Sequence, residues 1–218
     1  MRLEAALVRR SLEGPLPLPA LGSIIDVSRA RDAAVVVPLR LDAEPRVVLV
    51  LRGAQLADHA SEVGFPGGKP DPDDGGLEAT ALRELTEEIA VAPAQVEVLG
   101  PLMPVPVITG RYLIHPFVGL LAAGAAPRVA SPEIARVLEL PLVPLLTGER
   151  PIAAVRGAWG GGGSVVFAPH FEVDGAVLYG ASAYILYELL ARIAAQLGLA
   201  LPPLEITERL PWGDRYAR

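Results

Sequence analysis

Runs of β-branched residues mark the first regular elements of the chain. Segments 33–41 and 45–52 are such runs, and the short Asp-Ala-Glu spacer between them predicts a β-hairpin. Segments 95–107 and 111–122 carry the same kind of pattern and predict further strands around a turn at residues 109–110. The first half of the chain is therefore expected to build a sheet.

Helical spacing of apolar residues appears in two places. Segment 77–90 predicts a helix that stops before Pro93, and segment 181–198 predicts a second helix that ends at Gly198. Between them, segment 137–146 reads as a strand followed by a Pro-rich loop. Segment 156–180 reads as a hairpin whose tip holds four glycines, residues 160–163, beside Trp159.

The order strands, helix, strands, helix indicates a mixed β-sheet sandwiched between helices, an α/β fold of the α+β type. At 218 residues the chain is long for one domain and short for two. We expect a lead-in with a short helix over 1–30, one main domain over 31–200 and a tail over 201–218. Hydrophobic residues make up 51% of the chain, which is enough for a sizeable core.

Charge and cysteine content narrow the functional class. The net charge of -6 argues against a nucleic-acid binder, which needs a basic surface for phosphate contacts. The absence of cysteine excludes disulfides and thiolate metal sites and fits a cytoplasmic protein. The N-terminus has the character of neither a signal peptide nor an anchor, and the apolar stretch near 117–126 is too short to span a bilayer. We therefore expect no membrane partner.

The first predicted helix crowds carboxylates near its C-terminal end. At about 100° per residue, Glu84, Glu87 and Glu88 span about 100° of arc, opposite a core-facing stripe that includes Leu85 and Ile89. Like charges at this spacing repel, and the negative end of the helix dipole adds to the cost. An ordinary solvated acidic face is one explanation, and a site for a hard divalent cation is the other.

The loop before this helix favours the cation site. Segment 57–76 is dense in Gly, Pro and Asp, and a loop of that length inside a compact domain is usually functional. Gly67 and Gly68 allow the backbone to approach a metal or a phosphate closely. Arg83 lies four residues before Glu87 and can pair with it, which would hold the carboxylates in place.

This region resembles the signature of the Nudix hydrolases, G-x5-E-x7-R-E-U-x-E-E-x-G-U, where U is aliphatic. The distance from Gly68 to Arg83 is one residue longer than the signature, so Asp74 or Gly75 stands at the first Glu position, and Ala90 replaces the later Gly. The longer spacing, in FPGGKPDPDDGGLEATALRELTEE, is similar to that of the coenzyme A diphosphatase branch. The resemblance covers roughly 33–195, although Ala57 and Ser61 replace an Arg and a Gly of that branch.

The resemblance implies a Nudix fold and a metal-dependent site. The ligands of Mg²⁺ or Mn²⁺ in this site would be the carboxylates of the helix together with the carbonyl of Gly68. The general base would be Glu84 or Glu133. Three further residues would contact the phosphates of the substrate. The full sets are Glu84, Glu87, Glu88 and Gly68 for the metal, Glu84, Arg83 and Glu133 for catalysis, and Arg52, His59 and Arg111 for the substrate.

The implied activity is hydrolysis of a pyrophosphate bond in a small nucleoside diphosphate derivative. Coenzyme A or a CoA derivative is the expected substrate, which would give 3′,5′-ADP and 4′-phosphopantetheine. ADP-ribose or a dinucleotide is the alternative within this class. A binding or regulatory module that kept the fold and lost catalysis is the alternative from another class. The oligomeric state stays open, with a homodimer as one possibility.

Overall fold

A mixed β-sheet organises the part of the chain that the computed structural model describes, which is residues 1–14, 25–56, 59–158, 165–208 and 210. Its strands are β1 Arg31–Arg40, β2 Arg46–Arg52, β3 Val63–Gly64, β4 Gly67–Gly68, β5 Val96–Pro101, β6 Val105–Pro106, β7 Tyr112–Leu121, β8 Ile134–Pro141, β9 Ala153–Ala158, β10 Val165–Val173, β11 Ala176–Leu178 and β12 Glu205–Ile206. The helices are α1 Ala5–Glu13, α2 Leu77–Ile89, α3 Val143–Thr147 and α4 Gly180–Gln196, with a short 3₁₀ turn at Pro93–Gln95.

Strand β1 lies at the centre of the sheet. It runs antiparallel to β2 and parallel to β7, while β7 pairs in turn with β5 and β6. Strand β2 also pairs with β8 and β3, and the sheet continues from β3 through β11, β10 and β9 to β12. The short β4 pairs with β1 so that Gly68 faces Ala34, which brings the glycine-rich loop to the centre of the sheet.

Both faces of the central strands are buried, because a helical layer covers each. In β1 and β2 one set of alternating side chains packs against α2, and the other set packs against α1 and α4. The side toward α2 holds Ala34, Val36, Val48, Val50, Ala81, Leu85 and Ile89. The predicted mixed sheet between helices is therefore confirmed, and within the described residues α2 is the helix that covers the face of Ala34 and Val48.

Most of the predicted elements are present with small shifts of their ends. The hairpin of β1 and β2 is confirmed, and so are the helices predicted over 77–90 and 181–198. The Pro-rich loop predicted at the end of 137–146 is wrong, because residues 143–147 form α3. Pro144 is tolerated there since the first turn of a helix needs no backbone donor, and burial of Leu145 and Leu146 stabilises the turn.

A buried ion pair in α4 fixes the N-terminal helix to the domain. Arg192 Nε donates to Glu188 Oε1 at 2.8 Å, and Arg192 Nη1 donates to the carbonyl of Gly14, just after α1, at 2.9 Å. The same Glu188 oxygen accepts the backbone N–H of Met103 at 3.3 Å. Leu3 and Val8 complete this contact as buried members of the core. The division of the chain at 1–30, 31–200 and 201–218 stays a prediction.

Some features predicted from the sequence fall on residues outside the described part. These are Ala57, Trp159 and the four glycines 160–163. Among the described residues, no helix has the length and apolar character that crossing a membrane requires.

Candidate active site

The two glycines of β4 bring the backbone against the carboxylates of α2. A side chain at Gly67 would overlap the carbonyl oxygen of Ala34, and one at Gly68 would overlap the carboxylate of Glu84. The N–H of Gly67 donates to Glu88 Oε2 at 3.2 Å. The loop therefore lies against the acidic helix, and this close approach depends on residues without a side chain.

Asp74 anchors the loop to α2. Its two carboxylate oxygens accept hydrogen bonds from Arg83 Nε at 3.0 Å and Arg83 Nη2 at 3.2 Å, and further bonds from Thr80 Oγ1 at 2.7 Å and the backbone N–H of Asp71 at 2.8 Å. The Arg83 guanidinium holds the pKa of Asp74 well below its usual range, and the bond to Asp74 raises the pKa of Arg83. Asp74 rather than Gly75 therefore supplies the carboxylate at the first acidic position of the signature.

Arg83 also organises the glutamates of the helix. Its Nη1 donates to Glu84 Oε1 at 3.0 Å and to Glu87 Oε2 at 3.1 Å, and its Nη2 donates to the carbonyl of Lys69 at 3.1 Å. The predicted pairing of Arg83 with Glu87 is thus present. One guanidinium compensates part of the repulsion that the sequence builds into this end of the helix.

The three glutamates differ in burial. The side chain of Glu87 is 56% exposed, that of Glu84 is 19% exposed, and Glu88 is a buried residue at 5%. Glu88 is buried although it lies on the acidic side of the helix, where the N–H of Gly67 donates to its carboxylate. Burial raises the pKa of Glu88 to about 7, although the positive charge of Arg52 acts to lower it. Burial also raises the pKa of Glu84.

Glu133 and Arg52 meet the carboxylates from a different part of the chain. Arg52 Nη2 lies 3.2 Å from Glu133 Oε2, and Arg52 Nη1 lies 3.8 Å from Glu88 Oε1. The N–H of Gly53 donates to the carbonyl of Glu133 at 2.7 Å, which fixes the segment before β8 beside the end of β2. The negative charge of Glu133 contributes to the raised pKa of Glu88. The structure therefore groups Glu133 and Arg52 with the glutamate helix.

For the other two predicted substrate residues, the structure shows contacts with Glu62 and with Arg31. His59 Nδ1 lies 2.7 Å from Glu62 Oε2. Arg111 precedes β7, and its carbonyl accepts the N–H of Arg31 at 2.9 Å. Their roles toward a substrate stay predictions.

The donor set suits a hard cation, although the described residues contain no group of three acidic or imidazole side chains already arranged around one. The carboxylates of Glu84 and Glu88 lie against the backbone of β4, and oxygen donors of this kind are those that Mg²⁺ and Mn²⁺ prefer. The guanidinium of Arg83 engages Glu84 and also the third carboxylate, Glu87, whose side chain is exposed. The chemistry of these oxygen donors therefore fits a divalent ion.

Two departures from the family pattern share one backbone feature. Ser61 has φ 59° and Ala90 has φ 57°, so both residues adopt the left-handed conformation that favours glycine. The branch carries Gly at the first of these positions, and the general signature carries Gly at the second. These replacements therefore change backbone strain at a turn and at the end of α2, and they leave the set of carboxylates intact.

Two supporting contacts of the site were not predicted from the sequence. Thr80 orients Asp74 through its hydroxyl, and Lys69 accepts a hydrogen bond from Arg83 through its carbonyl. The spacing of Thr80 and Arg83, three residues apart on one helix face, was an available signal for the first. A backbone acceptor such as Lys69 leaves no signal in a sequence.

The NUDIX domain family pattern matches residues 30–155. The chain belongs to the Nudix family. That match covers β1 to β8, α2 and the glycine-rich loop. Nudix hydrolases generally need a divalent metal such as Mg²⁺ or Mn²⁺, which agrees with the oxygen-donor set around Glu84 and Glu88.

Curated relatives match about half of the chain. An uncharacterized Nudix hydrolase, NudL, of Citrobacter koseri is 43% identical over 112 residues, which are 51% of this chain and 58% of that protein. NudL of Escherichia coli O1:K1 / APEC is 40% identical over 116 residues, 53% of this chain and 60% of that protein. The matched region thus spans less than two thirds of these relatives.

Solved structures of Nudix proteins overlay in part. The NUDIX domain of Shewanella oneidensis NrtR, crystallised with ADP ribose, is 25% identical with a TM-score of 0.42, over 54% of this chain and 77% of that one. A MutT/nudix family protein from Enterococcus faecalis is 15% identical with a TM-score of 0.48, over 90% of this chain and 75% of that one. Overlays at this level assign no residue role.

Proposed function

We propose that this Nudix protein hydrolyses the pyrophosphate bond of coenzyme A or a CoA derivative with the help of Mg²⁺ or Mn²⁺, giving 3′,5′-ADP and 4′-phosphopantetheine. The observation that carries the proposal is the contact of Glu84 and Glu88 with the backbone of Gly67–Gly68, fastened by the Asp74–Arg83 pair. The branch-like spacing between Gly68 and Arg83 supports coenzyme A as the substrate.

The metal-holding residues would be Glu84, Glu87, Glu88 and the carbonyl of Gly68. A divalent ion bound there supplies charge neutralisation and orients the phosphoryl oxygens, which is the main need of phosphoryl transfer. Arg83 keeps the carboxylates within reach of one another, because it bonds to Asp74 as well as to Glu84.

Water attacks one phosphorus of the pyrophosphate, a new P–O bond forms, and the bridging P–O bond breaks as the other phosphate leaves. The water proton passes to a carboxylate, either Glu84 or Glu133. Glu133 is 55% exposed and lies beside the glutamate helix, held by Arg52 at 3.2 Å, so it can reach a water molecule without giving up a metal-binding position. Glu84 lies against Gly68, a position that fits a ligand.

The substrate proposal is tested on the purified full chain with Mg²⁺ or Mn²⁺. The panel contains coenzyme A, acetyl-CoA, ADP-ribose, NADH and a dinucleoside polyphosphate, and the products are identified by mass. Formation of 3′,5′-ADP from coenzyme A is expected. Cleavage of ADP-ribose but not of coenzyme A would reject the assignment to the coenzyme A diphosphatase branch. If no substrate were cleaved, the protein would be a binding module without hydrolase activity.

The base is assigned by comparing Glu133→Gln with Glu84→Gln. A base that is not a ligand lowers kcat and leaves Mn²⁺ affinity unchanged, whereas loss of a ligand lowers both. We expect the first result for Glu133→Gln and the second for Glu84→Gln. Unchanged turnover in Glu133→Gln would assign the proton transfer to Glu84.

A further inference from the structure

Two cations converge on one aromatic ring at the start of β1 and β7. The guanidinium carbon of Arg31 lies 5.1 Å from the centre of the Tyr112 ring, and Lys69 Nζ lies 5.6 Å from it. Arg31 and Tyr112 are neighbours on paired strands, and Lys69 directly follows β4. The Tyr112 ring therefore lies close to two positively charged side chains, one from β1 and one from the residue after β4.

The positive charges of Arg31 and Lys69 have no carboxylate partner among the residues that the structure describes. Neither Arg31 nor Lys69 forms a salt bridge within the described residues, although the chain carries a net charge of -6. Of the acidic residues nearby in sequence, Asp32 pairs with His115 at 2.8 Å, and Asp26 accepts the N–H of Ser28 at 2.9 Å. An anion that contacts both cations would supply the opposite charge that the described carboxylates do not.

The cation pair lies close to the candidate active site. Lys69 follows Gly68, and its carbonyl accepts Arg83 Nη2 at 3.1 Å. Gly68 faces Ala34 on β1, and Arg31 lies three residues before Ala34, or about 10 Å along the strand. A nucleotide whose pyrophosphate lies at the carboxylates can therefore place a second phosphate near the two cations.

We propose that Arg31 and Lys69 bind a phosphomonoester group of the substrate, with Tyr112 as a positioning residue for both. A phosphomonoester carries close to two negative charges, which matches two cations without a salt bridge in the described part of the chain and provides acceptors for charge-assisted hydrogen bonds. The inference rests on the proposed function and deepens it, because this group distinguishes coenzyme A from its dephospho form. Discrimination between the two is thus assigned to the start of the paired strands β1 and β7.

Calorimetric titration with 3′,5′-ADP and with 5′-AMP, in the absence of metal, tests the subsite without requiring turnover. The unaltered chain is expected to bind 3′,5′-ADP about tenfold more tightly, and the single variants Arg31→Gln and Lys69→Gln to lose most of that preference. Arg29→Gln is the matched control, since Arg29 is exposed and close in sequence, and it should keep the preference. Equal affinity for the two nucleotides, or a preference that survives in both charge variants, would overturn the proposal.

The role of Tyr112 needs its own pair of variants. Tyr112→Phe keeps the ring and should keep the preference, whereas Tyr112→Leu removes the ring and should reduce it. Equal loss in both would assign the effect to the hydroxyl and overturn the positioning role. Melting temperatures of all variants identify any loss of folding.

A kinetic measurement separates this proposal from the proposed function. The ratio of kcat/KM for coenzyme A to kcat/KM for dephospho-CoA should fall about tenfold in Arg31→Gln. If Arg31→Gln hydrolysed both substrates with the same ratio as the unaltered chain, the phosphate subsite would be rejected and the proposed activity would stand. A preference for 3′,5′-ADP without hydrolysis of either substrate would reject the activity and keep the subsite.

Discussion

Replacing Ala90 by glycine should stabilise the protein, because Ala90 ends α2 in the left-handed conformation, with φ 57° and ψ 35°. The N–H of Ala90 donates to the carbonyl of Thr86 at 3.0 Å, so the chain is held in this conformation by a backbone bond that glycine would keep. The perturbation therefore removes strain and leaves the hydrogen bonding of the helix end unchanged.

The magnitude follows from two opposing terms. An L-residue in the left-handed conformation costs roughly 1–2 kcal/mol, which the substitution recovers. Glycine makes the unfolded chain more flexible, at a cost of about 0.4–1 kcal/mol, and the half-buried methyl of Ala90 is lost as well. We expect a net gain of about 0.5 kcal/mol, or a rise in Tm of about 1–2 °C for a chain of this size.

Ala92→Gly is the matched control, since it makes the same chemical change two residues away at an exposed position with φ -71°. It recovers no strain, so it should lower stability by about 0.4–1 kcal/mol. Urea unfolding of the two variants gives a difference that measures the strain itself, about 1–2 kcal/mol. Equal losses in both variants would refute the reasoning, because the left-handed conformation would then carry no cost.

Three further changes address the site. Glu87→Gln should lower kcat/KM at least about 100-fold through loss of metal charge stabilisation, and it should change the free energy of unfolding by less than about 0.5 kcal/mol, because its pairing with Arg83 is exposed. Gly68→Ala should lower Mn²⁺ affinity and turnover together, since the added methyl overlaps the Glu84 carboxylate. Asp74→Asn should destabilise the protein more at about pH 7 than at about pH 3. Arg83 lowers the pKa of Asp74 in the folded protein. The stabilisation by the Asp74 carboxylate is therefore present above the pKa that Asp74 has in the unfolded chain, and it is lost as the pH falls through the pKa of Asp74 in the folded protein.

Each of these outcomes has a control or a contrary result. Gly75→Ala adds a methyl that meets no atom within 4 Å, so a loss of activity equal to that of Gly68→Ala would contradict the proposed overlap. Normal turnover by Glu87→Gln would remove that residue from the ligand set. An equal loss of stability at both pH values would show that the charge of Asp74 is not what stabilises the loop.

Periodic patterns predicted the elements that position the site. The β-branched runs of β1 and β2 and the 3.6-residue spacing of Leu85 and Ile89 were sufficient, because burial on both faces of the sheet demands apolar side chains at those positions. Residue type and spacing likewise predicted the contact between Arg83 and Glu87, which lie on one helix face. Local periodicity carries this information without knowledge of the fold.

Contacts between distant segments could not be predicted in the same way. Arg52 and Glu133 meet although 81 residues separate them, and only the pairing of β2 with β8 brings them together. Counting residues left Asp74 and Gly75 as alternatives, and the choice required the path of the loop back to Arg83. Burial of Glu88 likewise depends on β4, a two-residue strand that its own sequence does not mark.

The Glu188–Arg192 pair has a consequence for how the chain acquires its structure during synthesis. Arg192 binds the carbonyl of Gly14, 178 residues earlier, so α1 leaves the ribosome long before its partner exists. At about 5–20 residues per second, roughly 9–36 s separate the two ends of this contact. During that interval Leu3 and Val8 lack the α4 surface that helps to bury them, and the contacts of Arg9 with Glu97 and Leu99 on β5 are the earlier ones that α1 can form.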